Sequence, residues 1–209
     1  MTSVTGSDER VAAYVDGFNL YYGIREDGRR HLWLDIEGLV RSLLKPEQQL
    51  VVVRYFTAPV RDDTAALSRQ QLYWNALGAH SSLLDIRVGR FQRKSRRCFS
   101  CGSSWVDYEE KESDVALGAA LVADGARGLF DTAMIVSADS DMVSAVRELQ
   151  RLRPEVRVIA AFPPNRNSGE LKRACDAFIP IGHAKIRQSQ LPEAVQTSSH
   201  SIVRPGHWK

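Results

Sequence analysis

The chain is poor in cysteine, with three in 209 residues. The odd count excludes the fully paired disulfide framework that staples small secreted domains, and it points to a reducing, cytoplasmic setting. No apolar run approaches the ~18 residues that a membrane span needs. The opening stretch MTSVTGSDER has no apolar region of signal-peptide type. No internal repeat is visible. No G-x-G-x-x-G follows the first apolar segment, so the dinucleotide fingerprint of nicotinamide and flavin enzymes is missing. No histidine sits in a motif that marks it as a general acid. An excess of one charge is lacking too: 28 Lys and Arg stand against 25 Asp and Glu.

What is present suits a single globular α/β domain. The chain is 44% hydrophobic and 25% charged, which is enough apolar material for a full core. Short β-branched or apolar runs at Val11–Val15, Leu50–Phe56, Asp131–Ser137, Val156–Ala161 and Phe178–Ile181 read as strands. Leu83–Phe91 alternates apolar and charged residues, as a strand does with one face in water. Helical patterns lie between them, over Asp35–Leu44, Thr64–Ala79, Ser113–Gly125 and from Met142 to about Leu152. Strands alternating with helices imply a doubly wound, mainly parallel sheet with helices on both faces. The expected organisation is a disordered 1–9, a domain over 10–183 with an insertion at about 92–107, and a flexible basic tail over 184–209.

The net charge of +3 says less than its distribution. The tail holds Lys185, Arg187, Arg204 and Lys209 against Glu193, so the body is left with 24 basic and 24 acidic residues. Within the body the charges segregate. Arg87, Arg90, Arg93, Lys94, Arg96 and Arg97 fall in 87–97 without an acid, and residues 107–114 then hold five acids and one lysine. A cationic arm beside carboxylates suits a polyanion and a metal. A solvated hairpin gives the same pattern.

Carboxylates recur where strands are expected to end. Asp16 follows Val11–Val15 in Asp16-Gly-Phe-Asn19, whose glycine permits a tight turn. Asp139 and Asp141 follow Ala133–Val136. Asp114 begins a helix on the stripe of Gly118 and Leu121, which points it inward. The carboxyl edge of a parallel sheet is where such folds place ligands. Collected acids repel one another unless a cation is present, and magnesium prefers an all-oxygen shell. The bland alternative is that Asp139 caps a helix and Asp141 favours its positive end.

Three pieces, Tyr14-Val-Asp-Gly-Phe-Asn-Leu20, Glu110-Lys-Glu-Ser-Asp-Val-Ala-Leu117 and Ile135-Val-Ser-Ala-Asp-Ser-Asp141, together resemble the NYN domain family, close to its LabA-like members, within the PIN-like nuclease superfamily. The resemblance implies a doubly wound fold and a divalent-metal site, Mg²⁺ or Mn²⁺, acting on RNA or DNA. It makes Asp16, Asp114, Asp139 and Asp141 the metal-binding acids. Asn19 would orient a ligand or phosphate, and Ser137 and Ser140 would support the acids. Ala138 stands where many relatives have glycine. The reading that follows is a metal-dependent nuclease, with RNA as the expected substrate and Arg90, Arg93, Lys94, Arg96 and Arg97 holding the phosphate backbone. The alternatives are a nucleic-acid-binding regulatory module with a weak or inactive site, and an oxidoreductase or monooxygenase, a label found among neighbouring proteins.

Cys98-Phe-Ser-Cys101-Gly has the spacing of half a zinc site, which normally needs four ligands. Cys175, His31, His80, His183 or a second copy in a homodimer could complete it; otherwise the pair are free thiols. Phe91, Phe99 and Trp105 around it could stack on unpaired bases or form a small core of the arm itself.

Overall fold

The computed structural model describes residues 9–26, 29–61, 63–111 and 113–208, with the side chains of 29, 91–94, 106–111 and 207 left out of the description. In chain order the elements are β1 (Glu9–Asp16), α1 (Gly17–Arg25), α2 (Ile36–Leu43), β2 (Gln48–Thr57), α3 (Thr64–His80) and β3 (Leu84–Val88). There follow β4 (Arg90–Arg97), β5 (Ser104–Lys111), α4 (Ser113–Ala126), β6 (Thr132–Val136), α5 (Met142–Leu152) and β7 (Arg157–Phe162). Last come α6 (Gly169–Ala174), β8 (Ala177–Pro180), α7 (His183–Gln188), β9 (Ala194–Gln196) and β10 (Ser201–Val203).

Six strands form the main sheet in the order β3-β2-β1-β6-β7-β8, and every neighbouring pair is parallel. With the β4–β5 hairpin set aside, this is the doubly wound order, which reverses between β1 and β6. The strand period of two divides the core. Val11, Ala13 and Val15 of β1 pack with α1, α2, α3 and α7 on one face. Ala12 and Tyr14 pack with α4, α5 and α6 on the other, through Leu117, Leu121, Val146, Leu149 and Leu171. Both faces of β6 are buried, so its five residues read as one unbroken apolar run.

One ion-paired network crosses the α4 side. Arg54 on β2 donates from Nε and Nη2 to the Asp124 carboxylate on α4, at 2.5 and 3.1 Å, and from Nη1 to Asp85 on β3 at 2.5 Å. The Tyr14 hydroxyl donates to the same Asp124 at 3.0 Å. Asp124 is 3% exposed, so this lattice ties the far end of α4 to β1, β2 and β3. At Gly125 a Cβ would lie 2.2 Å from Leu149 Cδ1, so α4 and α5 sit too close there for a side chain.

The C-terminal segment corrects the expectation of a flexible tail over 184–209. Ile186, Leu191, Val195 and Ile202 are buried in the first core. Trp33 Nε1 donates to the Pro192 carbonyl, and the Trp208 ring packs 6.1 Å from Trp33 and 5.9 Å from Tyr73. Five well-spaced apolar residues hold what composition alone reads as loose. The expectation for 1–9 lies outside the described residues except at Glu9, which opens β1. No helix among the described residues is long and apolar enough to cross a membrane.

The insertion is the antiparallel β4–β5 hairpin, with the Cys98–Gly102 segment as its turn. Gly102 adopts φ of +72° and donates its N–H to the Cys98 carbonyl, a backbone shape that favours glycine. The register sets Lys94 opposite Asp107, but Arg90 opposite Lys111, Arg93 opposite Tyr108, Arg96 opposite Trp105 and Arg97 opposite Ser104. Phe99 is fully exposed and Trp105 about half exposed, at 107% and 49%, so these aromatics do not form a core of the arm. Phe91 has no described side chain.

Candidate metal centre

The sheet reverses between β1 and β6, and the acids gather there. Asp16 is the last residue of β1, and Asp139 follows β6 by three residues. Asp114 is the second residue of α4, which packs on the same face as Tyr14. Oxygens of Asp16, Asp114 and Asp139 all lie within 4.8 Å of one another. Residues far apart in sequence are thus brought to one point by the parallel topology.

Asp16 is 8% exposed, which is costly for a carboxylate unless it is hydrogen-bonded. Its Oδ1 accepts from the Asn19 N–H at 3.0 Å, so Asp16 is itself the N-cap of α1. Its Oδ2 accepts from the Ser137 hydroxyl at 2.9 Å. Burial still holds its pKa above the ordinary value; the bonds from Asn19 and Ser137 oppose that, and the charge of Asp139 adds to it. Ser137, wholly buried, also accepts from the Asp139 N–H at 3.0 Å, so a single hydroxyl joins the two acids. The Asn19 side-chain carbonyl accepts from the Ala138 N–H at 3.1 Å. Asn19 thereby pins α1 to the loop after β6.

Asp139 does not cap α5. Its Oδ1 accepts from the Asp141 N–H at 2.9 Å, in the turn before the helix. Asp141 occupies the N-cap position and makes no side-chain capping bond. Asp141 is exposed and lies outside the three-acid grouping. Ser140 forms no side-chain hydrogen bond among the described residues, so of the two serines only Ser137 supports the acids.

Gly17 owes its place to contact rather than to a turn. A Cβ there would lie 2.6 Å from the Phe56 carbonyl oxygen and 2.8 Å from the Tyr55 ring. The absence of a side chain lets α1 start directly against β2, which fixes the direction of Asp16.

Three carboxylates, one of them buried, fit a hard divalent cation such as Mg²⁺ or Mn²⁺. The thiols are different. Cys98 is half-buried and Cys101 exposed at the hairpin turn. Among the described residues no third His, Cys, Asp or Glu joins them in a ligand grouping. Cys175 caps α6 and packs against the second core, where burial pushes its thiol up to about 12. Arg90, Arg96 and Arg97 lie exposed on the hairpin, and the Arg97 Nε donates to the Gly102 carbonyl at 3.4 Å. The side chains of Arg93 and Lys94 lie outside the described residues.

A feature not expected from the sequence adjoins the acids. A cavity of about 320 Å³ opens between α1 and α3, lined by Gly17, Tyr21, Tyr22, Tyr55, Arg69 and Trp74 among others. Aromatic residues spread over four segments carry no joint signal until folding assembles them.

The comparisons agree with this architecture. A solved structure of a protein of unknown function from Vibrio parahaemolyticus RIMD 2210633 is similar at a TM-score of 0.56 and 20% identity, covering 88% of this chain and 98% of that one. A 6-hydroxy-3-succinoylpyridine 3-monooxygenase, HspA, from Pseudomonas putida (strain DSM 28022 / S16) is 25% identical, over 95% of this chain and 75% of its own. The NYN domain model matches residues 10–182, from the first residues of β1 to the end of the parallel sheet and with the three acids inside it, and the chain belongs to the NYN domain family.

Proposed function

We propose that this protein is a Mg²⁺- or Mn²⁺-dependent nuclease that hydrolyses phosphodiester bonds, with RNA as its substrate. The observation that carries the reading is the convergence of Asp16, Asp114 and Asp139 within 4.8 Å at the sheet's switch point. Family membership supports the nuclease class; the resemblance implies RNA or DNA, and of the two we take RNA as the substrate.

Asp16, Asp114 and Asp139 hold the cation. Bound there, it would supply Lewis acidity toward water and the phosphate oxygens. Ser137 and Asn19 are positioning residues: the first fixes Asp16 and the Asp139 backbone, the second fixes the loop that carries Asp139. The water oxygen forms a new bond to phosphorus and the ester P–O bond breaks. The proton lost by the water balances the one gained by the leaving oxygen. Arg90, Arg93, Lys94, Arg96 and Arg97, with exposed Phe99 and Trp105, form an arm that holds the strand. Asp141 takes no ligand role in this reading. The monooxygenase name belongs to a relative at 25% identity, and no residue grouping here favours that chemistry.

The test is a panel of single- and double-stranded RNA and DNA with Mg²⁺ or Mn²⁺, run on wild type and Asp139→Asn. Metal-dependent RNA cleavage that falls about a hundredfold or more in the variant supports the reading. Equal cleavage by both proteins sinks it.

A further inference from the structure

The cavity beside the acids is lined by aromatic rings and by cations. Tyr55 and Trp74 line its interior, while Tyr21 and Tyr22 on α1 are 38% and 45% exposed at its edge. Those two rings lie edge to face, 5.3 Å apart, and keep much of their surface in water. Two cations, Arg25 and Arg69, also line it, and neither is in an ion pair among the described residues. The Trp74 indole Nε1 is buried with no hydrogen-bond partner among the described residues. Asp63 is present as well, but its Oδ1 is engaged by the Ala66 N–H as the cap of α3.

Position joins this cavity to the acids. Gly17 and Phe18, which line it, directly follow Asp16 in the chain. The Tyr55 ring lies against Gly17 closely enough that a Cβ would overlap it. A strand with its phosphate at the acids would therefore reach the cavity with a neighbouring nucleotide. At about 320 Å³ the cavity falls at the small end of ligand sites and takes one nucleotide-sized group. A base still paired in a duplex cannot enter such a space.

We propose that the cavity lined by Tyr21, Tyr22, Arg25, Tyr55, Arg69 and Trp74 binds one unpaired nucleotide beside the cleaved phosphate, its base stacked on the aromatics and its phosphate held by the arginines. The proposal rests on the nuclease reading.

The experiment reads binding without cleavage. Metal-free protein is titrated calorimetrically with AMP and UMP, and separately with inorganic phosphate and with nicotinate. Saturable binding of the nucleotides, much weaker binding of phosphate and nicotinate, and displacement of AMP by a short single strand but not by a duplex are expected. Tyr22→Ala and Arg69→Gln should each weaken AMP binding by about five- to a hundredfold, and Tyr22→Phe should retain it. The melting temperatures of the three variants check folding. Absence of saturable nucleotide binding overturns the proposal, as does unchanged affinity in Tyr22→Ala and Arg69→Gln. Nicotinate binding as tightly as AMP also overturns it, assigning the cavity to small aromatic acids. Nucleotide binding without cleavage in any panel would sink the nuclease reading and keep the site; cleavage without nucleotide binding would do the reverse.

Discussion

Arg54 holds Asp124 through two of its nitrogens beneath α4, far along that helix from Asp114. The pair fixes a helix whose other end carries Asp114 of the three-acid grouping. Asp124→Asn and Arg54→Met should each cost up to about 3–5 kcal/mol, because each removes the main partner of a buried charge and leaves Asp85 to Arg54, or Tyr14 and Arg127 to Asp124. Replacing both with apolar residues should cost less than the sum of the two. Urea denaturation of the two single variants and the double variant measures this, and additive losses would mean the pair is not coupled.

Asp16 sets a pH dependence for the metal-free protein. Its folded pKa lies above the ordinary 3.8, so the fold binds this proton more tightly than the unfolded chain does. Its contribution is fully present below the unfolded value and is lost as pH rises through the folded one. Asp16→Asn should remove that loss and melt higher than wild type at neutral pH without metal. Added Mg²⁺ should stabilise wild type by about 2.7 kcal/mol at a hundredfold excess over its dissociation constant, and the variant far less. Melting curves across pH with and without Mg²⁺ decide it; a variant as Mg²⁺-responsive as wild type would remove Asp16 from the site.

The hairpin makes a prediction about salt. If Arg93, Lys94, Arg96 and Arg97 contact phosphates, neutralising all four should reduce the log–log salt slope of RNA binding by up to roughly 3–4. Asp107, opposite Lys94, should keep the change below that ceiling. An unaltered slope would place the path of the strand away from the arm.

The thiols should differ sharply in reactivity. Hydrogen bonds from Ser103 chiefly, then from Cys98, bring the exposed Cys101 thiol down to about 7, while burial pushes Cys175 up to about 12. Alkylation followed by peptide mapping should show Cys101 modified at pH near 7 and Cys175 untouched in the folded protein. Zinc bound across two copies would instead protect Cys101 until a chelator is added.

The sequence announces the sheet and much of its edge because each signal there is local. β6 is an apolar run that ends at Ser137 and Asp139, and Asp114 opens a helix whose stripe is visible in Gly118 and Leu121. The spacing alone does not separate Asp141 from Asp139, because it does not say which of the two joins Asp16 and Asp114 in one grouping. Arg54 gave no warning: a lone arginine in Gln48–Thr57 looks like an exposed residue until Asp124, seventy positions away, closes over it. The C-terminal segment deceived for the opposite reason. Its apolar residues are too widely spaced for any helical or strand period, and only the finished core shows that each fills a separate gap.

The packing of Trp33, Tyr73 and Trp208 governs what an optical experiment on this molecule can see. The chain has four tryptophans. Trp33 and Trp208 lie 6.1 Å apart, Trp208 and Trp74 both line the cavity, and only Trp105 sits apart on the hairpin. Intrinsic emission therefore reports mainly one neighbourhood, with energy passing readily among its rings. A fluorescence melt would follow the closing segment leaving Trp33 and Tyr73, and circular dichroism would follow the sheet. Should those two curves separate on heating, the difference would time the departure of the C-terminal segment from a core that is still folded.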